Sequence, residues 1–208
     1  MKKRLFCAIL AIFTAITALS ALSSCTNQSQ PQDLEPIKDR LIYLIEESKE
    51  LNVVFFGNGL PVYRKDGTLT ERKRVYYYDS IGNYERIMEN SHYVSIDQIK
   101  IDAARIYSTS YLEEVYESAF DGIMTGETNA YVRFYDNGSY LCQNMDFFEF
   151  TLTERIYDYS TMEIVAPYSA NYINLKIEAY SIEDEIRKDV YLSFALENGE
   201  WYLDSPTY

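Results

Sequence analysis

The chain has 208 residues, 47% of them apolar, and carries 32 acidic against 19 basic side chains, a formal charge of −13 at neutral pH. That balance excludes nucleic acid as a partner, because a phosphate backbone would be repelled, and it excludes docking on anionic lipid through the protein surface. Three cysteines and one histidine are too few for a disulfide framework or for the usual zinc ligand sets.

The chain opens on Lys2, Lys3 and Arg4, runs through an almost unbroken apolar stretch from Leu5 to Leu19, and reaches Leu22-Ser23-Ser24-Cys25. The apolar run is too short to cross a bilayer securely and has the length of a signal-peptide core. Small residues before a cysteine suit a narrow peptidase site, and the thiol can form a thioether to lipid. The segment therefore predicts a lipoprotein signal over residues 1–24, removed on maturation, with Cys25 lipidated and the protein held on the outer face of the bacterial cell membrane. A diacylglyceryl group would supply two acyl chains, enough for stable anchoring. Cys7 would leave with the signal and Cys142 would remain as a lone thiol. Residues 25–33 are polar and without periodicity, a tether; residues 34–208 are expected to form one domain.

Asp33 to Phe56 predicts a helix, with Ile37, Leu41, Leu44, Ile45, Leu51 and Phe55 at three- and four-residue steps and Gly57-Asn58-Gly59 and Pro61 as its stop. Residues 60–79 predict a hairpin turning at Lys65-Asp66-Gly67 and ending in Tyr76-Tyr77-Tyr78. Ser95 and Gln98 have the spacing of a capping box before a second helix with Ile96, Ile99, Ala103 and Ile106 on one face. Ser110 and Glu113 repeat that spacing before a third, Tyr111 to Phe120, with Gly122 at its end.

From Ala130 the period falls to two. Tyr131–Asp136 and Ser139–Gln143 predict a hairpin about Asn137-Gly138. Tyr172 to Tyr180 alternates cleanly, with Ile173, Leu175, Ile177 and Ala179 on one face. Val190, Leu192, Phe194 and Leu196 do the same, and Asn198-Gly199 should turn the chain so that Leu196 faces Trp201 and Phe194 faces Leu203. Helices first and consecutive strands after them predict an α+β domain with helices packed on one face of a curved antiparallel sheet.

The ending Glu197-Asn198-Gly199-Glu200-Trp201-Tyr202-Leu203-Asp204-Ser205-Pro206 resembles the closing hairpin of NTF2-like (cystatin-like) lipoproteins of Gram-positive bacteria. A capped helical pair ending in Phe120, followed by Phe134-Tyr135-Asp136-Asn137-Gly138-Ser139-Tyr140-Leu141, is similar to that group's helix and hairpin. Within the group the chain resembles the IseA-type inhibitors of peptidoglycan D,L-endopeptidases. The resemblance implies an NTF2-like fold and a non-catalytic regulator or inhibitor of a cell-wall D,L-endopeptidase.

The residues add a physical counterpart. The chain holds 21 tyrosines, which serve both recognition surfaces and strands. Tyr76, Tyr77, Tyr78 and Asp79 are the candidate partner-binding surface, because three consecutive tyrosines cannot share one strand face and charge could steer a basic partner. Acidity could equally serve only to keep a wall-associated protein soluble. The alternative function is a small-ligand or glycan-binding module using a pocket between helix and sheet. Catalysis has little support. His92 sits in a polar approach to a helix, and Cys142 lies in an aromatic strand without a cationic neighbour. Glu183-Asp184-Glu185 reads as a solvated turn, and Glu113-Glu114 as the wet face of a helix. No cofactor and no metal site is expected, although with so many acids a glycosidase pair of carboxylates stays open.

Overall fold

The computed structural model describes residues 33–63, 75–77, 80–82, 84–125, 129–145 and 152–208. Cys25, the tether up to residue 32, the Lys65-Asp66-Gly67 turn, Tyr78 and Asp79 lie outside the described residues. The fold is α+β with antiparallel sheets.

Helix α1 spans Lys38–Phe56 and begins later than the apolar spacing predicts. Pro36 explains the delay, since it disfavours helical backbone at the residue before it and brings no N–H of its own. The inward face of α1 carries Leu41, Leu44, Ile45, Leu51, Val54 and Phe55, all buried. A strand β1 (Val75–Tyr77) pairs forward with β2 (Ser80–Gly82), and β3 (Tyr84–Arg86) follows. Helix α2 (Ile96–Ile106) has Ser95 as its cap, with its hydroxyl accepting the Gln98 N–H at 3.3 Å. Gln98 reaches back to the Val94 N–H at 2.8 Å, one residue earlier than in a standard capping box.

Helix α3 spans Thr109–Tyr116 and starts before the predicted Tyr111, because the cap is Ser108 and not Ser110. Ser108 accepts the Tyr111 N–H at 3.1 Å, whereas Ser110 donates to the Asp204 carboxylate at 2.8 Å. A wider π-helical turn, Glu117–Asp121, continues α3 and stops at Gly122, whose φ of 97° ends it.

Two short strands, β4 (Ile123–Thr125) and β5 (Asn129–Tyr131), pair with each other. Strands β6 (Phe134–Asp136) and β7 (Leu141–Asn144) form the predicted hairpin in a different register. Asp136 faces Leu141, so the loop is Asn137–Tyr140 and not the two residues Asn137-Gly138. The reason is local: Asp136 accepts the Gly138 N–H and Asn137 accepts the N–H groups of Ser139 and Tyr140, at 2.8 to 3.0 Å, which widens the turn.

The main sheet has the order β11-β10-β9-β8. Strand β8 (Arg155–Ser169) is its long edge, and the sequence did not reveal it. Strands β9 (Tyr172–Ser181), β10 (Ile186–Glu197) and β11 (Glu200–Leu203) follow the predicted alternation. Leu196 faces Trp201 and Phe194 faces Leu203 as the turn requires, with Asn198 and Gly199 at φ of 52° and 85°. Ile173, Leu175, Ile177, Leu192, Phe194 and Leu203 are fully buried and join the inward residues of α1, α2 and α3 in one continuous apolar cluster. The helices thus lie against the face of the sheet that bears these residues. Tyr107 makes a parallel bridge to Leu203, and the Ser108 N–H donates to the Leu203 carbonyl at 2.9 Å, so the link between α2 and α3 covers the short edge at β11.

Candidate functional site

A cleft of about 1050 Å³ opens where the second half of α1, the segment from Arg133 to Met145, the start of β8 and residues 207–208 meet. Its volume lies at the upper end of the roughly 300–1,000 Å³ that small-molecule sites occupy. The lining is mixed: Asn52, Asn58, Gln143, Asn144, Thr153 and Thr207 alternate with Val53, Leu152, Ile156 and three tyrosines.

Two residues fix the wall where α1 ends. The Gln143 side chain accepts the Leu60 N–H at 2.7 Å and donates to the Asn58 carbonyl at 3.0 Å, clamping the exit turn. Gly59 needs its φ of 77°, and a Cβ there would fall 1.9 Å from the Gln143 amide oxygen. Arg133 is buried and donates through Nε to the Val54 carbonyl at 2.6 Å and through Nη2 to the Gly57 carbonyl at 2.5 Å. A cation at the carbonyl end of a helix is favoured by the helix dipole and satisfies acceptors that the helix leaves open. Burial lowers this guanidinium to about 10.

The floor is a one-way chain of donors. The Tyr107 hydroxyl donates to the Asn52 carbonyl oxygen at 2.9 Å, the Asn52 amide to the Thr207 hydroxyl at 2.7 Å, and Thr207 to Ser48 at 2.6 Å. Ser48 closes the chain on the Ile45 carbonyl at 2.7 Å. Tyr157 adds a bond from its hydroxyl to the Thr207 carbonyl at 2.7 Å. Each of these side chains is buried and paired, which is what a polar network inside a core requires. Tyr208 then packs on Phe56, ring centroids 5.0 Å apart.

Along the open side, Lys49 pairs with Glu46 at 2.7 Å, and Tyr159 on β8 hydrogen-bonds the same carboxylate. Partial burial would raise the Glu46 carboxyl, but its bonds to Lys49 and Tyr159 outweigh that and hold it below the usual range. Burial and the Glu46 charge push the Tyr159 phenol well up. Arg155 projects from the same side of β8 as Tyr157, since side chains two apart share a strand face.

Of the residues singled out in the sequence, Glu183 reaches the cleft, whereas His92 and Cys142 do not line it. Tyr76 and Tyr77 sit on β1 opposite Ile81 and Ser80. His92 is exposed, with Nδ1 2.7 Å from a Glu50 carboxylate oxygen and its ring stacked on Tyr93 at 4.4 Å. Cys142 is buried on β7. Glu183 lies in the exposed turn between β9 and β10 and accepts the Glu154 N–H with both oxygens, at 3.0 and 3.1 Å, on the cleft rim. Among the described residues, no three His, Cys, Asp or Glu side chains converge to hold a metal ion.

Sequence reasoning missed Arg133, Arg155, Tyr157 and Thr207. Only Arg133 left a trace, as a lone cation between Val132 and Phe134 in an apolar run. Compared with known proteins, the chain matches no family model and no curated sequence.

Proposed function

We propose that the chain is a lipid-anchored, extracytoplasmic binding protein that carries out no catalysis, and that the cleft between α1 and the sheet is its binding surface. The observation that carries this is the cleft itself: large, mixed in polarity, and floored by a hydrogen-bond network that already has its partners. Polar groups around a preformed concavity, with tyrosines beside them, suit a saccharide or a similar polar small ligand. An NTF2-like architecture, with its pocket between helix and sheet, is consistent with this placement.

The other form of the proposal is an inhibitor of a D,L-endopeptidase acting through Tyr76, Tyr77, Tyr78 and Asp79. One experiment separates them. The lipidated protein, solubilised in mild detergent, is titrated by calorimetry with a soluble peptidoglycan digest and, separately, with a D,L-endopeptidase catalytic domain. Val53 lines the cleft and is 43% exposed, so Val53→Trp should fold and fill the mouth. Saturable binding of the digest that Val53→Trp abolishes is expected. Peptidase binding that survives Val53→Trp but is lost in Tyr77→Ala, Asp79→Asn would move the function to the β1–β2 surface.

The anchor has its own test. Mass spectrometry of the membrane fraction should find Cys25 as the first residue and carrying lipid. A free thiol at Cys25 in membrane material would remove the anchor and the location with it.

A further inference from the structure

We propose that the ligand of the cleft bears a carboxylate and that Arg155 receives it. This rests on the cleft being the binding surface, and it names the chemistry that the surface selects.

Among the described residues, three cations line the cleft, Lys49, Arg133 and Arg155. Two are committed to the fold. Lys49 is paired with Glu46 at 2.7 Å, and Arg133 holds the carbonyls of Val54 and Gly57. Arg155 is held only by a neutral neighbour, the Tyr157 hydroxyl, to which its guanidinium hydrogen-bonds. No carboxylate among the described residues pairs with it, and its Nε, shielded from solvent, meets no acceptor. The Tyr157 oxygen accepts from Arg155 while its own proton goes to the Thr207 carbonyl, so this bond brings no negative charge to the guanidinium.

A guanidinium with no carboxylate partner among the described residues is notable in a chain of net charge −13, where acids are plentiful. Two of the acids at hand are otherwise engaged. Glu46 is bonded to Lys49 and Tyr159, and Glu183 turns both oxygens to the Glu154 N–H. A buried donor without an acceptor is costly, and the cost is recovered when an acceptor arrives from outside. The guanidinium fork matches a carboxylate in a bidentate pair. Glu154 and Glu183 at the rim select against a second negative charge, so a phosphate dianion fits less well than a monoacid. Those same rim oxygens accept hydroxyl donors, and Thr153 and Asn58 line the interior. The ligand class is a polar monoacid rich in hydroxyl or amide groups, from either an acidic saccharide or an acidic peptide.

Matched pairs distinguish the sources. N-acetylmuramic acid differs from N-acetylglucosamine by a carboxylate-bearing ether. N-acetyl-alanyl-glutamate with its side chain amidated can be compared with the same peptide with both carboxyls amidated. Calorimetry on the solubilised lipidated protein should show the acid member of one pair binding about tenfold or more tighter than its neutral partner. Arg155→Gln should abolish that preference, and Arg155→Lys, which keeps the charge without the fork, should retain part of it. Melting curves establish that the variants fold; should Arg155→Gln fail to fold, the preference in the unmodified protein and in Arg155→Lys decides. Equal affinity for acid and neutral members overturns the carboxylate assignment and leaves the cleft standing as a binding surface. Binding of either member that Val53→Trp does not weaken overturns the cleft itself. A preference confined to the saccharide pair, or to the peptide pair, names the source.

Discussion

Trp201→Ala should cost about 3–5 kcal/mol of stability, a large share of what holds a chain of this size together. Trp201 is buried on β11 and faces Leu196 across the hairpin, with its indole in the apolar cluster shared by the helices and the sheet. No neighbour can relax far enough to fill the space of a lost indole. Tyr202→Ala is the control. Tyr202 is half-buried on the opposite face and touches Arg40, whose guanidinium lies 5.6 Å from its ring, so its loss should cost about 1 kcal/mol or less. Urea titration of both variants decides between registers. A slip of one residue in the hairpin exchanges the two faces, and the two costs would then be reversed.

The second expected result is a loss of stability in alkali. Burial raises the Tyr107 phenol well above its ordinary value, with the nearby Tyr111 adding to it, and burial likewise raises Tyr157 against a smaller opposing effect of Arg155. Both hydroxyls donate into the cleft floor, and ionisation would leave oxygen facing oxygen. A group whose folded pKa lies above its unfolded value holds its proton in the native state after the unfolded chain has released it. Its stabilising contribution is complete below about pH 10 and is lost as the pH rises beyond that. A phenol that keeps its proton in the folded state while the unfolded chain has lost it removes about 1.4 kcal/mol per pH unit above about 10; Tyr107 contributes in this direction, and Tyr157, opposed by Arg155, contributes less. Tyr116, raised by burial to about 12, works in the same direction. Arg133, lowered by burial to about 10, works in the opposite one and offsets part of the loss.

Denaturation followed at about pH 8 and about pH 11 should therefore show a marked drop, with tyrosinate absorbance rising together with unfolding. Tyr107→Phe should be less stable at neutral pH by about 1 kcal/mol, through the lost hydrogen bond, yet lose less on going to alkali. Equal stability at the two pH values would contradict the burial of these phenols.

The last three strands of this fold were legible because their physics is local. Ile173, Leu175, Ile177 and Ala179 alternate with polar residues, and Asn198-Gly199 admits positive φ at both turn positions, so face and register follow from adjacent residues. Strand β8 was not legible, although it is the longest. Its pairing with β9 shifts between Asp158 and Glu163, and that irregularity breaks the period of two: Tyr157 and Met162 are buried while Ile156 is exposed. The cap of α3 was misplaced because Ser108 and Ser110 offer the same hydroxyl and both donate to the distant Asp204, while only Ser108 also accepts the Tyr111 N–H. The cleft escaped the sequence for a related reason. Arg133, Arg155 and Thr207 come from three separate segments, and no spacing rule connects them.

The chain of donors beneath the cleft also sets an order of events. Ser48 and Thr207 are 159 residues apart, and Asn52 and Thr207 are 155 apart. Contacts of such span close late, because most of the loop entropy must be lost before they form. Helix α1 can coil as soon as it leaves the ribosome, and Ser48 finds the Ile45 carbonyl within it, but the bonds that Ser48 and Asn52 make to Thr207 wait until residue 207 has been made. The cleft floor is therefore unfinished in any chain that stops short of that residue, however well its helices have formed.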